Sequence, residues 1–274
     1  MRISLCYNRG KGGDFLQTKY PILLVHGVAI KNMLGVKAFG KIDRILKSQG
    51  YHVHIAEQDG FGTIENNAGQ LKEQIEKILS REKAEKINLI AHSKGGLDCK
   101  YLIKELGMED KVASLTTLCT PHKGSPIASG LLKLPSFLLK FIAFWINFWY
   151  RIFGDQHPDA LAVCKQLQRV EEMETETLNF SDKVYCQSFS TRMDHPKDDF
   201  ILGIPLLFSR LVERSETDGL VPLDSTLFGF YRGDCTDGSV SHQQIVDFMA
   251  SKKKKDKIYA FYGALCEELA KLGF

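Results

Sequence analysis

The sequence predicts an α/β fold with a mostly parallel central sheet, helices on both faces, and a helical lid insertion. Three apolar runs carry that expectation. Pro21-Ile22-Leu23-Leu24-Val25 ends at His26-Gly27, the pattern of a strand buried on both faces that opens into a loop. Ile87-Asn88-Leu89-Ile90-Ala91-His92 drops through Ser93 into a helix-like stretch with small residues at Gly95 and Gly96, and Ser114 to Leu118 forms a third run. Between them lie a helical pattern from Ala38 to Gln49, a strand over Tyr51-His52-Val53-His54-Ile55-Ala56, and an amphipathic helix from Asn67 to Lys83. That last helix carries Leu71, Ile75, Ile78 and Leu79 on one face. Strands alternating with helices imply parallel neighbours joined by right-handed crossovers.

The alternation lapses over about 125–180. Leu131 to Phe153 is dense in aromatic and aliphatic residues, but Pro135, Lys140, Asn147 and Arg151 interrupt it, and a membrane span needs about 20 nearly continuous apolar residues. Two readings stay open: a helix buried in the core, or a mobile lid or interfacial helix over the active site. Lys183 to Phe189 reads as a strand. The run Leu211-Val212-Glu213-Arg214 reads as one that would hold Asp218 at its C-terminal edge, Gly233 to Gly238 reads as a Gly/Asp-rich stretch, and Ile258 to Leu272 as a helix. Residues 1–274 are expected to form one domain with the lid or cap inserted at about 125–180.

Composition narrows the class. With 44% hydrophobic and 25% charged residues the chain reads as soluble and globular, and a net charge of +3 gives no argument for a nucleic-acid partner. Lys252-Lys253-Lys254-Lys255 reads as a solvated loop. Cys6, Cys99, Cys119, Cys164, Cys186, Cys235 and Cys266 are scattered without a C-x-x-C, so reduced, buried thiols are expected rather than a zinc ribbon or redox pair. Met1 to Gly10 lacks the apolar stretch of a secretory signal, which predicts a cytoplasmic location unless a leader has been removed.

The chemistry centres on Ala91-His92-Ser93-Lys94-Gly95. A serine hydroxyl is a poor nucleophile, so it must stand on a tight strand-to-helix turn within reach of a base, and small neighbours make such a turn possible. Ala91 occupies the site where the G-x-S-x-G pattern has glycine. In enzymes built on this turn the acid and then the histidine follow the serine. Of eight histidines only His242 lies beyond the acid candidates. Asp218 is preferred over Asp224, Asp234 and Asp237 because Asp218-Gly219 permits a tight turn. Two backbone amides, those of Lys94 and Val28, are the expected oxyanion donors. Gly27 would let its loop approach the acyl group, with His26 bracing the loop and His92 supporting the site.

Taken together, Tyr20 to Gly27, Ala91 to Leu97, Thr116 to Ser125, Asp218-Gly219-Leu220-Val221 and Ser241-His242 resemble the bacterial triacylglycerol lipases of the Pseudomonas and Burkholderia type, in the α/β-hydrolase family. Pro158-Asp159-Ala160-Leu161 is similar to the end of that family's lid. The resemblance implies carboxylic ester hydrolysis by Ser93, Asp218 and His242, with a helical lid that opens at a lipid surface. Three departures matter. Those lipases are secreted, often with a disulfide and a foldase, and nothing here supports carrying that over. They bind a structural calcium through an aspartate two residues after the histidine, where this chain has Gln244; Asp198 or Asp199 could supply the other ligand, but a neutral amide is a poor partner for a hard cation. No calcium and no other cofactor is therefore expected. The aromatic density of Phe141 to Phe153 leaves the acyl preference open.

The expectation is a serine lipase or esterase acting through an acyl-enzyme on Ser93, with a lipid or small acyl ester as substrate and transient lipid-surface contact through the lid. The alternatives are a thioesterase, phospholipase or acyltransferase using the same triad, or a non-catalytic lipid-binding protein. The sequence carries no signal of oligomeric state.

Overall fold

Six parallel strands form a sheet in the order β2-β1-β3-β4-β5-β6. They are β1 (Ile22–Val25), β2 (Val53–Ile55), β3 (Ile87–His92), β4 (Val112–Leu118), β5 (Tyr185–Ser190) and β6 (Phe230–Asp234). This is a computed structural model that describes residues 16–28, 38–168, 180–213 and 215–274, so Cys6, the N-terminal stretch and the far part of the expected lid lie outside the described residues. The helices are α1 (Ile42–Ser48), α2 (Ile64–Glu82), α3 (Lys94–Lys104), α4 (Pro126–Leu131), α5 (Ser136–Ile152), α6 (Ala160–Gln166), α7 (Gly203–Glu213) and α8 (Lys252–Lys271).

The period-two alternation of a strand sorts its side chains onto two faces. Ile22, Leu24 and Ile90 pack with Leu46 of α1 and with Ile258, Phe261 and Leu265 of α8. Leu23, Val25 and Leu89 pack with Leu71 and Ile75 of α2 and with Leu102 and Ile103 of α3. All of these are fully buried, each contributing about 1.5–3 kcal/mol of apolar transfer. The register pairs Val25 with Ala91 and His92 with Leu118, so the loops leaving β1, β3 and β4 rise side by side from one sheet edge.

Two local expectations, at residues 211–214 and 252–255, are corrected. Leu211 to Glu213 closes helix α7 rather than a strand. Leu202 and Leu206 stand four apart and bury against Met193, and a short apolar run alone does not separate the two periods. Part of the Gly233 to Gly238 stretch belongs to β6, which among the described residues pairs with β5 alone and carries Gly233 at φ +100°. Lys252 to Lys255 is the first turn of α8, capped by Ser251, and is no solvated loop: the Lys255 ammonium lies 2.8 Å from the buried carboxylate of Asp247. Of the two readings left open for α5, burial in the core does not hold, since Ala143 is its one buried residue while Phe137, Phe141 and Phe144 are exposed. Among the described residues no helix is long and apolar enough to cross a membrane.

The far end of α5 is tied down by two buried carboxylates that trade backbone donors. Asp155 accepts from the amides of Gly60 (2.9 Å) and Phe61 (2.8 Å), and Asp59 accepts from Gln156 (3.0 Å) and His157 (2.8 Å). Tyr150 packs edge-on against Phe61 at 4.6 Å. Asp155→Ala would leave two buried amides without this acceptor. We expect a loss of about 2–4 kcal/mol in urea unfolding, with faster hydrogen exchange confined to residues 59–62 and 150–157.

Candidate active site

Ser93 closes β3 and caps α3 with φ +55° and ψ −134°, a conformation that L-residues rarely adopt. The close approach of β1 and the start of α3 holds it there. A Cβ on Gly95 would lie 2.5 Å from the His26 carbonyl oxygen, and one on Gly27 would lie 2.6 Å from Ser93 Cβ and 2.9 Å from the Lys94 nitrogen. Around the turn, the Ser93 amide donates to the Leu118 carbonyl (2.9 Å) and Thr120 Oγ1 donates to the Ser93 carbonyl (2.8 Å). The hydroxyl makes no cap bond to the helix and is left for the histidine.

The structure brings the three expected residues together. Ser93 Oγ is 2.8 Å from His242 Nε2, and His242 Nδ1 is 2.7 Å from Asp218 Oδ2. Asp218 is fully buried, and its Oδ1 accepts from the amides of Leu220 (3.0 Å) and Val221 (2.8 Å), which fixes the carboxylate plane. With Nδ1 donating to the carboxylate, Nε2 is the acceptor that faces the serine hydroxyl. The backbone of His242 is held twice, its amide by the Asp218 carbonyl (2.9 Å) and its carbonyl by His92 Nε2 (2.8 Å). Burial, reinforced by His242 and His26, pushes His92 well below the usual histidine range, so it stays a neutral donor. The rival acids lie elsewhere: Asp234 takes Ser190 Oγ at 2.6 Å, Asp237 pairs with Lys257, and Asp224 sits in a 3₁₀ turn.

Lys94 opens α3, so its amide is among those with no partner inside the helix, and its nitrogen lies close against Gly27, which lines the cavity with Val28. His26 Nδ1 donates to the Gly27 carbonyl (2.8 Å), and Gln58 Nε2 donates to the His26 carbonyl (2.6 Å), bracing this loop.

Several supporting residues escaped sequence reasoning. The Lys94 side chain is fully buried and pairs with Asp98 at 2.6 Å, while Asn67 Nδ2 bridges Asp98 (3.0 Å) to the Asp59 carbonyl (2.9 Å). Burial pushes Asp98 up to about 6 against the pull of the ammonium. Its four-residue spacing from Lys94 was the one available signal. Cys119, at φ +52°, places its sulfur in a cluster with Asp218 and His242 whose ligating atoms lie within 4.8 Å of one another. Burial pushes this thiol well above its usual range. Because Asp218 Oδ2 and His242 Nδ1 are committed to each other at 2.7 Å, the cluster is a hydrogen-bonded relay rather than a metal cage.

The residues in the calcium position of the resembling lipases do not fit that ion. Gln244 turns its amide donor toward the Asp198 carbonyl (2.9 Å), and Asp199 is taken by Ser241 Oγ (2.5 Å) and Gln243 Nε2 (2.8 Å). The Lys254 ammonium already lies 2.8 Å from Gln244 Oε1 and 3.3 Å from the Asp198 carbonyl.

Above Ser93 opens a cavity of about 670 Å³ with apolar walls, including Phe61, Ile127, Leu131, Tyr150, Val163 and Leu167. Its volume suits a small lipid or ester.

Similar proteins point to the class of enzyme. A metagenomic carboxyl esterase superposes with a TM-score of 0.71 at 16% identity, over 96% of this chain and 77% of that one. Triacylglycerol lipase 2 of Saccharomyces cerevisiae is 28% identical over 273 residues, 89% of this chain and 76% of that protein. A triacylglycerol lipase of Burkholderia plantarii is 34% identical over 166 residues, 56% of this chain but only 46% of that protein. Fold and relatives define an ester-hydrolysing enzyme of the α/β-hydrolase class. Residues 21–172, more than half of the chain, match the palmitoyl protein thioesterase family, and the chain belongs to that family.

Two outcomes are expected from this geometry. Gly27→Ala presses a methyl on the Lys94 backbone, and kcat should fall about 10²–10³-fold in ester hydrolysis, with circular dichroism unchanged; a Val at this site would also push against the His92 carbonyl. Burial keeps His92 and His122 neutral, both well below 6.5, so the unfolded chain takes up protons first on acidification. Stability should therefore hold above pH 6.5 and fall below it by up to about 1.4 kcal/mol per pH unit for each histidine. In thermal melts from pH 8 to 5, His122→Phe should flatten part of that fall.

Proposed function

We propose that this protein is a serine carboxylic-ester hydrolase, a lipase or esterase, that turns over through an acyl-enzyme on Ser93. The observation that carries the reading is the unbroken Ser93–His242–Asp218 hydrogen-bond chain, at 2.8 and 2.7 Å, opening into an apolar cavity. In the first half-reaction His242 takes the serine proton as Oγ attacks the ester carbonyl, and Asp218 stabilises the imidazolium. The amides of Lys94 and Val28 hold the oxyanion. His242 then delivers the proton to the departing alcohol. In the second half-reaction it activates water against the acyl-enzyme, and the carboxylic acid leaves. None of these steps draws on a metal or cofactor.

The cavity walls favour an acyl chain over a polar substituent, and α5 is suited to act as its cover. Tyr150 lines the cavity from this helix, while Phe141, Phe144 and Trp145 face outward, where contact with a lipid surface would bury them. The helix is anchored at the Asp155 end, so opening would swing its N-terminal part.

The family description favours one second reading, hydrolysis of acyl thioesters by the same residues. The deciding experiment is hydrolysis of p-nitrophenyl esters from acetate to palmitate beside palmitoyl thioesters, by the protein and its Ser93→Ala variant. We expect Ser93-dependent ester turnover, with kcat/KM rising up to about fourfold per added methylene until the cavity is full. Faster hydrolysis of the thioester than of the matched ester would move the assignment to a thioesterase. Equal turnover by Ser93→Ala would end the serine mechanism.

A further inference from the structure

The four lysines that open α8 stand where the helix dipole disfavours cations, and no acidic residue shares that turn. Two of them have a use that offsets this. Lys255 Nζ lies 2.8 Å from Asp247, whose other oxygen accepts from the Lys41 amide (2.9 Å) and the Tyr259 hydroxyl (2.8 Å). Lys254 Nζ donates to Gln244 Oε1 (2.8 Å) and to the Asp198 carbonyl (3.3 Å). Both contacts land on the segment 241–247, which carries His242.

Lys254 does more than touch that segment. Gln244 Oε1, its acceptor, also receives the Ser241 amide (3.2 Å), and Gln244 Nε2 donates to the same Asp198 carbonyl (2.9 Å). One ammonium thus closes a ring through Gln244 and the loop ahead of α7. The neighbouring Asp199 ties that loop to Ser241 at 2.5 Å, one residue before the histidine. His242 sits in a loop between β6 and α8 and is held through Asp218 and His92, so the loop that carries it needs ties of its own. Its distance to Ser93 depends on how this loop is held.

We propose that Lys254 is a positioning residue that clasps the His242 loop to the Asp198 loop, an internal ammonium shared between Gln244 and the Asp198 carbonyl. The proposal rests on the reading of His242 as the catalytic base. The clasp is covalently part of the chain, so its occupancy is independent of dissolved calcium. A guanidinium could make the same two donations, whereas an apolar side chain of similar length could make neither.

The test compares the wild-type protein with Lys254→Met and Lys254→Arg. In Lys254→Met we expect kcat on a soluble p-nitrophenyl ester to fall about tenfold with KM within twofold, and fluorophosphonate labelling of Ser93 to slow by the same factor. Hydrogen exchange should quicken in residues 239–247 and 196–200. Lys254→Arg should recover at least half of kcat, and neither 1 mM calcium nor a chelator should move the wild-type Tm. Unchanged kcat and exchange in Lys254→Met, a wild-type Tm that rises with calcium, or a loss not rescued by Arg would each overturn the clasp. Should Lys254→Met fail to fold, the Arg variant and the calcium titration decide alone. Should Ser93→Ala prove as active as wild type, the hydrolase reading fails, while the exchange and calcium arms still read the clasp.

Discussion

Everything at this site depends on one close approach, that of the start of α3 to the end of β1. The backbone of Gly95 lies so near the carbonyls of Val25 and His26 that no side chain fits between, and Gly27 meets Ser93 and Lys94 from the other side in the same way. This contact forces Ser93 into positive φ, a strain costing about 1–3 kcal/mol that the two apolar faces of the sheet hold in place. The strain leaves the hydroxyl out of the helix cap, with the first amide of α3 close against Gly27. Nucleophile and oxyanion donor are therefore set by a single packing event.

The remaining partners are placed by polar ties between loops. Asp218 is fixed by two amides of its own turn, and His242 by the carbonyl of Asp218 and the imidazole of His92. Because these groups are buried, each unsatisfied donor would cost more than a surface bond contributes. Buried carboxylates recur as the means of tying: Asp59 and Asp155 at the end of α5, Asp98 beneath the elbow, Asp199 before the histidine. Such ties specify geometry where apolar contacts alone would leave several packings of similar energy.

The sequence made some of this legible and hid the rest for physical reasons. Runs such as Ile22 to Val25 and Ile87 to His92, buried on both faces, could be read as strands of a parallel sheet. The order of Ser93, Asp218 and His242 could be read because the chemistry requires those types at loop positions. Helix α7 could not, since its inward face is Gly203, Leu206 and Ser209 while its exposed face carries Ile204, Leu207, Leu211 and Val212, which erases the usual two-sided pattern. Strand β6 was masked by the turn residues Gly233 and Asp234 that end it. The lysines of α8 looked like solvent-facing charge because their acceptors, Asp198, Gln244 and Asp247, come from segments that no local pattern links to them.

Helix α8 also ties completion of the site to completion of the core. It supplies Ile258, Phe261 and Leu265 to the sheet face that bears Ile22 and Ile90, so without α8 that face keeps only the part of its cover that α1 supplies. His242 lies just ahead of α8 and reaches Ser93 only in the finished packing. A nascent chain that has made β1 to β4 thus holds a serine with no base beside it. Reactivity arrives together with burial of the second face, and a partly folded molecule is chemically silent.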